Sequence, residues 1–346
     1  MQHTLDLLMR RKNLSHVEAA ELLESLTEQS ASPAMAGAML AALRTKGETP
    51  DEIRGFAVAM RRLARHPNIP AGIPAVDIVG TGGDGSGSLN LSTGAALLTA
   101  ACGLPVVKHG NRSISSRSGS ADVLEALGME MPLDEEAAGR CLKRTGFTFL
   151  FAPYYHPAMK ALASVRRCLG VRTAFNILGP LTNPAEPAYS VIGAFSIGTA
   201  ELLAGALAGL EVERAFVVHG AAGWDEATTV GPFTVFDVFP GRVTRSVRDP
   251  LDYGLPRCSP THLAGDDAVQ NATRLRSVLE GEKGPHRDTL ALGASLALEV
   301  AGRVVDPREG LGIAYETLDS GRASSLLSQL ADATSPCETL SVPADV

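Results

Sequence analysis

Between Asp77 and Gly103 the chain reads DIVGTGGDGSGSLNLSTGAALLTAACG, with Gly80, Gly82, Gly83, Gly85 and Gly87 crowded into eight residues. Glycine at this density gives up conformational entropy and packs nothing, so the bare backbone serves something other than a core. A literal G-x-G-x-x-G stands at Gly80, Gly82 and Gly85. A nicotinamide site is nevertheless not indicated, because the following helix is expected to open only at Asn90 to Thr93 and the next strand ends in Lys108-His109 rather than in an acidic residue. A P-loop fails as well, since Ser88 follows Gly82 and Gly87 where a lysine is required. What both motifs share survives: bare N–H groups converging on an anion, with a helix aiming its positive end at it. The side-chain oxygens of Asn90, Ser92 and Thr93 either cap that helix or contact a ligand or metal.

A second loop of the same kind follows in KHGNRSISSRSGSADVLEALG, where Lys108, His109, Arg112 and Arg117 stand among serines. Cations amid hydroxyls before a helix start suit several phosphate oxygens, because charge-assisted hydrogen bonds are the strong ones. Further on, HGAAGWDEAT carries adjacent Asp225 and Glu226. Beside a polyphosphate site such a pair suits magnesium, which takes one or two carboxylates and completes its shell with water and phosphate oxygens; in isolation a solvated acidic turn is the alternative. Arg166 and Arg167 lie on a helical run. An arginine there is either a surface charge or a bidentate partner for a second substrate's carboxylate.

These residues need elements to position them. Up to about Pro70 the chain reads as helices, HVEAAELLESLTE, SPAMAGAMLAALRTKG and TPDEIRGFAVAMRRLARH, the last two opening with a hydroxyl residue and a first-turn proline, Ser32-Pro33 and Thr49-Pro50. PNIPAGIPA, with three prolines, cannot continue a helix and marks a boundary near residue 70. Short apolar runs then alternate with helices: AVDIVG, LPVVKHG, FTFLFAP, YSVIGAFS and RAFVVHG. This alternation predicts an α/β fold with a mainly parallel central sheet flanked by helices, its functional loops beyond the carboxyl ends of the strands. Helices are also expected in GDDAVQNATRLRSVLEGEKG and DTLALGASLALEVAG, and a loose tail over 334–346. The expected division is a helical unit over 1–70 and an α/β unit over 71–346.

The 346 residues are 45% hydrophobic and 20% charged, enough for a large core. Net charge is -7 with no basic run, which argues against a broad nucleic-acid surface. No secretory leader is visible, and Glu201 interrupts the most apolar stretch, SVIGAFSIGTAELLAGALAGL, so neither export nor a membrane span is expected and the location expected is cytoplasmic. Five scattered cysteines, Cys102, Cys141, Cys168, Cys258 and Cys337, show no metal spacing and read as reduced, mostly buried thiols.

Taken together, GTGGDG with NLST, KHGNRSISSRSGSADVLEALG, VRRCLGVRTAFNILGPLTNPA and HGAAGWDE, in this order, resemble the anthranilate phosphoribosyltransferase family. That family stands in the glycosyltransferase group that also holds nucleoside phosphorylases. The similarity runs from about residue 5 to 330. The resemblance implies a homodimer formed through the small helical domain, with segment 156–188 packing back toward it, and an active site in the cleft between the domains. It implies transfer of the phosphoribosyl group of 5-phosphoribosyl 1-pyrophosphate (PRPP) to anthranilate, a step of tryptophan biosynthesis. PRPP would be held by Gly80, Gly83, Asp84, Ser88, Asn90, Leu91, Ser92, Thr93, Lys108, His109, Gly110, Asn111, Arg112, Ser113, Ile114, Ser115, Ser116 and Ser120. Magnesium, two ions per monomer, would be held by Ser92, Asp225 and Glu226, and anthranilate by Asn111 and Arg166 with Gly80 and His109. No residue is assigned as general acid or base; Lys108 and Arg166 would act by charge and position. The sequence departs from the family pattern at Trp224, where a smaller residue is expected, and at Arg117, where lysine is usual. A nucleoside phosphorylase would share the fold without needing Arg166, and a binding paralogue would have gained a basic face and could lose the acidic pair.

Overall fold

The computed structural model describes residues 1–28, 32–70, 72–113 and 117–335. Four helices open the chain: α1 (Gln2–Met9), α2 (His16–Thr27), α3 (Pro33–Lys46) and α4 (Pro50–Arg62). Local chemistry sets their starts. Ser15 and Thr49 each accept from the N–H three residues on, while Glu18 and Glu52 reach back, so α2 and α4 begin with reciprocal capping boxes. Ser32 precedes the first-turn proline of α3 but makes no side-chain cap, contrary to the expectation from its position. Glu52 is wholly buried and accepts from Leu14 N, Thr49 N and Lys46 Nζ, each at 2.9 Å, which pins α4 to the turn before α2.

The remainder alternates strands and helices: β1 (Val76–Gly80), α5 (Leu91–Ala101), β2 (Val106–Gly110), α6 (Ser120–Ala126), α7 (Glu135–Thr145), β3 (Phe147–Phe151), α8 (Ala152–Tyr155), α9 (Lys160–Leu169), α10 (Phe175–Leu178), β4 (Tyr189–Gly193), α11 (Ile197–Leu207) and β5 (Arg214–His219). A hairpin, β6 (Phe233–Phe239) and β7 (Arg242–Arg248), follows, then α12 (Ala268–Leu279), α13 (Pro285–Val300), α14 (Pro307–Asp319) and α15 (Arg322–Thr334). The seven strands run in the order β3-β2-β1-β4-β5-β6-β7. The first five are parallel; β6 and β7 are antiparallel. The hairpin was not anticipated from the sequence, although FTVFDVF and RVTRSVR flank the turn residues Pro240-Gly241.

The strands read as continuous apolar runs because both faces are covered. Successive residues of β5 alternate between two cores: Phe216 and Val218 face helices α5 and α12–α15, whereas Ala215 and Val217 face α1–α4 and α9–α11. Of the four described cysteines, all free thiols, only Cys141 is buried and Cys168 is exposed, so the expectation of mostly buried thiols does not hold; Cys337, like most of the expected tail, lies outside the described residues.

Candidate active site

The sheet order reverses direction between β1 and β4, and in open α/β sheets the crevice outside the carboxyl ends of the strands at such a point is where ligands bind. The glycine loop leaves β1 there. Gly82, Gly83, Gly85 and Gly87 all have φ between 60° and 75°, a region costly for residues with a Cβ. The loop is braced on its outer side by Leu89 N donating to Leu263 O (2.9 Å) and Gly265 N donating to Gly87 O (2.8 Å).

Across the same strand ends lies the Ala221–Thr229 segment after β5. Gly80 and Gly193 are register partners on β1 and β4, and a Cβ on either would overlap Asp225, on its carboxylate and its backbone carbonyl respectively. The two glycines are therefore the seat on which the acidic pair rests. Gly82 N donates to Asp225 Oδ2 (2.6 Å), Asp225 N to Asp84 Oδ2 (3.3 Å) and Ser92 N, in the first turn of α5, to Glu226 Oε1 (2.9 Å). Asp225 is 7% exposed, which rules out a solvated acidic turn. Burial and then the Asp84 charge push the Asp225 carboxyl up to about 7, and burial with the Asp225 charge holds Glu226 well above the usual carboxylate range. Glu226 Oε2 and Thr93 Oγ1 are buried and have no hydrogen-bond partner. Three carboxylates pressed together, one oxygen orphaned, form a locus short of positive charge.

Lys108, on β2, supplies part of that charge. It is 2% exposed; burial lowers its pKa, against the opposing attraction of Asp77, Glu226 and Asp225, and its Nζ donates to Ile78 O at 2.5 Å. Sequence reasoning missed two residues that fix this strand end. Asp77 Oδ1 accepts from His109 N (3.4 Å) and Oδ2 from Asn183 Nδ2 (2.9 Å), which also donates to Val107 O (2.8 Å). A charged residue inside the apolar run AVDIVG was the available signal.

The other expected residues divide. Asn90 heads α5 without capping it; its Nδ2 donates to Ser118 O and its Oδ1 accepts from Asn271 Nδ2. Leu91 is buried and offers only its backbone to a ligand. Ser88 Oγ accepts from Ser86, and Ser86 donates to Asp84. Gly110 ends β2, Asn111 O accepts from Ser120 Oγ (3.2 Å), and Ser113 N donates to Asp122. Arg112 is not brought to the acidic cluster: its guanidinium is engaged by Asp122 and Glu125 at 2.5–2.9 Å, and its backbone N–H donates to Asn111 Oδ1 (2.7 Å). Arg117 pairs with Asp266 (2.8 Å). Ile114, Ser115 and Ser116 lie outside the described residues. Trp224, before the acidic pair, is buried, a member of the core cluster that also holds residues of α5 and α13.

On the other wall, His109 Nδ1 lies 3.3 Å from Gly179 O, and its ring meets His156, which sequence reasoning did not single out, edge-on at 5.0 Å. Burial pulls His109 down to about 3 and His156 to about 4, so both are neutral at pH 7. Arg166, in the last turn of α9, lies over the Phe175 ring at 5.3 Å. Among the described residues it has no carboxylate partner, and burial lowers its pKa. A half-buried guanidinium of this kind is suited to an incoming carboxylate. A cavity of about 520 Å³ lies elsewhere, lined by His66, Ile73 and Glu213 among others.

A helical bundle leading into an open sheet whose switch point carries a glycine-rich loop and a buried acidic pair defines a class of glycosyl transferase. Family models described as "Glycosyl transferase family, helical bundle domain" and "Glycosyl transferase family, a/b domain" match residues 2–64 and 72–324. The anthranilate phosphoribosyltransferase of Desulforudis audaxviator is 46% identical over 339 residues, covering 98% of this chain and 97% of the relative; that of Pelotomaculum thermopropionicum is 47% identical, covering 93% of each. The crystal structure of anthranilate phosphoribosyltransferase from Thermus thermophilus superposes with a TM-score of 0.90 at 43% identity, covering 96% of this chain and 99% of that one. The Saccharomyces cerevisiae enzyme in complex with PRPP and Mg gives 0.87 at 27% identity, covering 96% and 97%. The chain belongs to the anthranilate phosphoribosyltransferase family.

Proposed function

We propose that the chain transfers the phosphoribosyl group of PRPP to the amine of anthranilate, giving N-(5-phosphoribosyl)anthranilate and pyrophosphate. The observation that carries this reading is the meeting, at the sheet's switch point, of the glycine loop, Lys108 and the Asp225–Glu226 pair, with Arg166 unpaired on the facing wall. The yeast relatives with PRPP and Mg and with 4-fluoroanthranilate support both substrates.

The donor's phosphates would lie on the N–H groups of Gly80, Gly83, Asp84 and Ser88 and of the Asn90–Thr93 turn, where the positive end of α5 points. Lys108, His109 to Ser113, the 114–116 stretch and Ser120 would complete the donor site. Magnesium fits the residues present: Ser92, Asp225 and Glu226 would hold it, and the orphaned Glu226 Oε2 is the observation that favours a cation there. Among the described residues no three His, Cys, Asp or Glu side chains form a ready-made metal cage. The missing ligands would come from the donor, as is usual for this ion, and we place two ions in each chain. When bound, the metal supplies positive charge to the departing pyrophosphate.

As the glycosidic bond breaks, positive charge grows on the ribose ring and negative charge on the leaving group. N–H donors of the glycine loop and the buried Lys108 would face that negative charge from a framework built before the donor arrives, so little reorganisation would be needed at the moment of reaction. Arg166 would hold the anthranilate carboxylate bidentately, with Asn111, Gly80 and neutral His109 nearby, turning a two-body encounter into an oriented attack. An aniline nitrogen is unprotonated at neutral pH, so no side chain is assigned as general base.

The helical unit, 1–70, would mediate a homodimer, where exposed Met9 and Val17 offer apolar surface, and the α/β unit, 71–346, would carry the donor. A cytoplasmic location is proposed with it; no described helix is long and apolar enough to cross a membrane. The test is anthranilate consumption by the purified protein with PRPP, with and without magnesium. Turnover that requires both supports the reading; folded protein that binds PRPP but leaves anthranilate untouched refutes it.

A further inference from the structure

One cation near the site has no part in the chemistry above. Arg172 lies just beyond α9, whose last turn carries Arg166 and whose C-terminus is closed by Gly170 in the left-handed conformation (φ 62°, ψ 8°). Its Nη2 donates to Gly83 O, in the middle of the glycine loop, at 2.5 Å, and its guanidinium stacks over the Phe195 ring at 4.7 Å. Phe195 is itself tied to the loop, its N–H donating to Thr81 Oγ1 (3.3 Å). No carboxylate pairs with Arg172 among the described residues. A Cβ on Gly83 would meet Arg172 Nη2 at 2.8 Å, so the guanidinium fills the space the glycine leaves.

Five residues lie between Arg166 and Arg172, and the turn that joins them is closed by Gly170 N donating to Arg166 O (3.3 Å). Thr173 N donates to Asn176 Oδ1 (2.9 Å), and α10 then presents Phe175, on which Arg166 lies. Gly83 and the support of Arg166 are thus joined through the Arg172 side chain and a short stretch of backbone.

We propose that Arg172 is a positioning residue that ties the donor loop to the acceptor helix, so that occupation of one site is felt at the other. The inference rests on the assignment of the glycine loop to PRPP and of Arg166 to anthranilate. A guanidinium held by a neutral carbonyl and a ring, rather than by a carboxylate, is bound weakly enough to follow the loop when phosphate settles on it. Coupling between two sites is a free energy and is reciprocal, so it can be read from either ligand.

Initial rates over a matrix of PRPP and anthranilate concentrations, with magnesium, measure it directly. In the native protein the anthranilate KM should fall at least about fivefold between vanishing and saturating PRPP, the lower end of ordinary coupling. Arg172→Ala should bring that ratio to about one, with a melting temperature close to that of the native protein since the side chain is exposed. Arg172→Lys, which can still reach the carbonyl but not stack as a plane, should keep part of the ratio. Phe195→Leu, which attacks the same tie from its other side, should lower it as well. A native ratio of one, or an unchanged ratio in Arg172→Ala, overturns the inference while leaving the proposed function intact. Absence of any turnover in the native protein refutes the proposed function and this inference with it.

Discussion

Replacing Gly193 with alanine adds one methyl group and tests whether strand-end glycines set the acidic pair. The new Cβ would overlap the Asp225 carbonyl, which is backbone and cannot rotate away, so the Ala221–Thr229 segment must lift off the sheet by well over an ångström. Overpacking of this kind costs about 1–3 kcal/mol of stability. In a chain of 346 residues, at about 2.1 cal/mol/K of unfolding entropy per residue, each kilocalorie lowers Tm by roughly 1–1.5 °C, so the variant should still fold. Activity should suffer more than stability. Misplacing a catalytic group by about 1 Å costs on the order of 100-fold, equivalent to about 2.7 kcal/mol of barrier, and Asp225 and Glu226 both ride on the displaced segment. The assay is the fluorescence loss of anthranilate under saturating PRPP, run beside differential scanning fluorimetry. Gly198→Ala is the control, because that helical glycine has nothing within 4 Å of an added Cβ and should leave both readouts near native. If Gly193→Ala retains kcat/KM within about threefold of native, well inside the 100-fold expected for an ångström-scale shift, the strand-end seat does not position the carboxylates and the reasoning fails.

Arg166→Ala should raise the anthranilate KM by roughly 10- to 100-fold, the worth of a charge-assisted hydrogen-bonded pair, with the PRPP KM extrapolated to vanishing anthranilate little changed; an unaltered anthranilate KM removes Arg166 from the acceptor site. Asp225→Asn combined with Glu226→Gln should abolish magnesium activation while circular dichroism stays native, and retained magnesium dependence would place the ion elsewhere. His109 and His156 are buried neutral, with native pKa values of about 3 and 4 against 6.5 when unfolded. The unfolded chain therefore gains protons first as pH falls below 6.5, and each such histidine withdraws up to about 1.4 kcal/mol of stability per pH unit until its native pKa is reached. Asp77, raised to about 6 mainly by burial, works the other way between pH 6 and 3.8, so the histidine contribution is isolated as the difference between the native protein and His156→Gln, whose stability should fall less steeply with acid between pH 6.5 and 4.5. Parallel pH profiles for the two would disprove it. Glu52→Ala should cost about 3 kcal/mol, the low end for breaking a buried ion pair, because two backbone N–H groups lose their acceptor and Lys46 Nζ keeps only Asn13 Oδ1 and Gly47 O; urea unfolding would detect a smaller loss.

Much of the molecule was legible before its structure. Five parallel strands announced themselves as apolar runs because both faces of each are buried, and the hydroxyl-proline pairs Ser32-Pro33 and Thr49-Pro50 marked two helix starts from local chemistry alone. The β6–β7 hairpin escaped because a strand–loop–helix rhythm leaves no place for a consecutive antiparallel pair, even though the turn residues at Pro240 and Gly241 were there to be read. In the site, the types of group were legible where the chemistry is local: glycines with positive φ, a lysine and histidine ending a strand, an adjacent carboxylate pair.

What the sequence by itself determined is which groups are available and on which kind of element each stands, since backbone conformation and side-chain chemistry are properties of a few neighbouring residues. Only the tertiary structure decided which of them meet. Arg112, plausible as a phosphate ligand by type, is spent on Asp122 and Glu125, whereas Arg172 and Asn183, unremarkable in their own segments, touch the glycine loop and the Asp77 strand from 89 and 106 residues away. The acidic pair could be a solvated turn until the sheet order brought β1 beside β4 and placed Gly80 and Gly193 beneath Asp225. Burial, and with it the shifted pKa of Asp225, Glu226, Lys108 and His109, is set by chain crossings that no local pattern encodes.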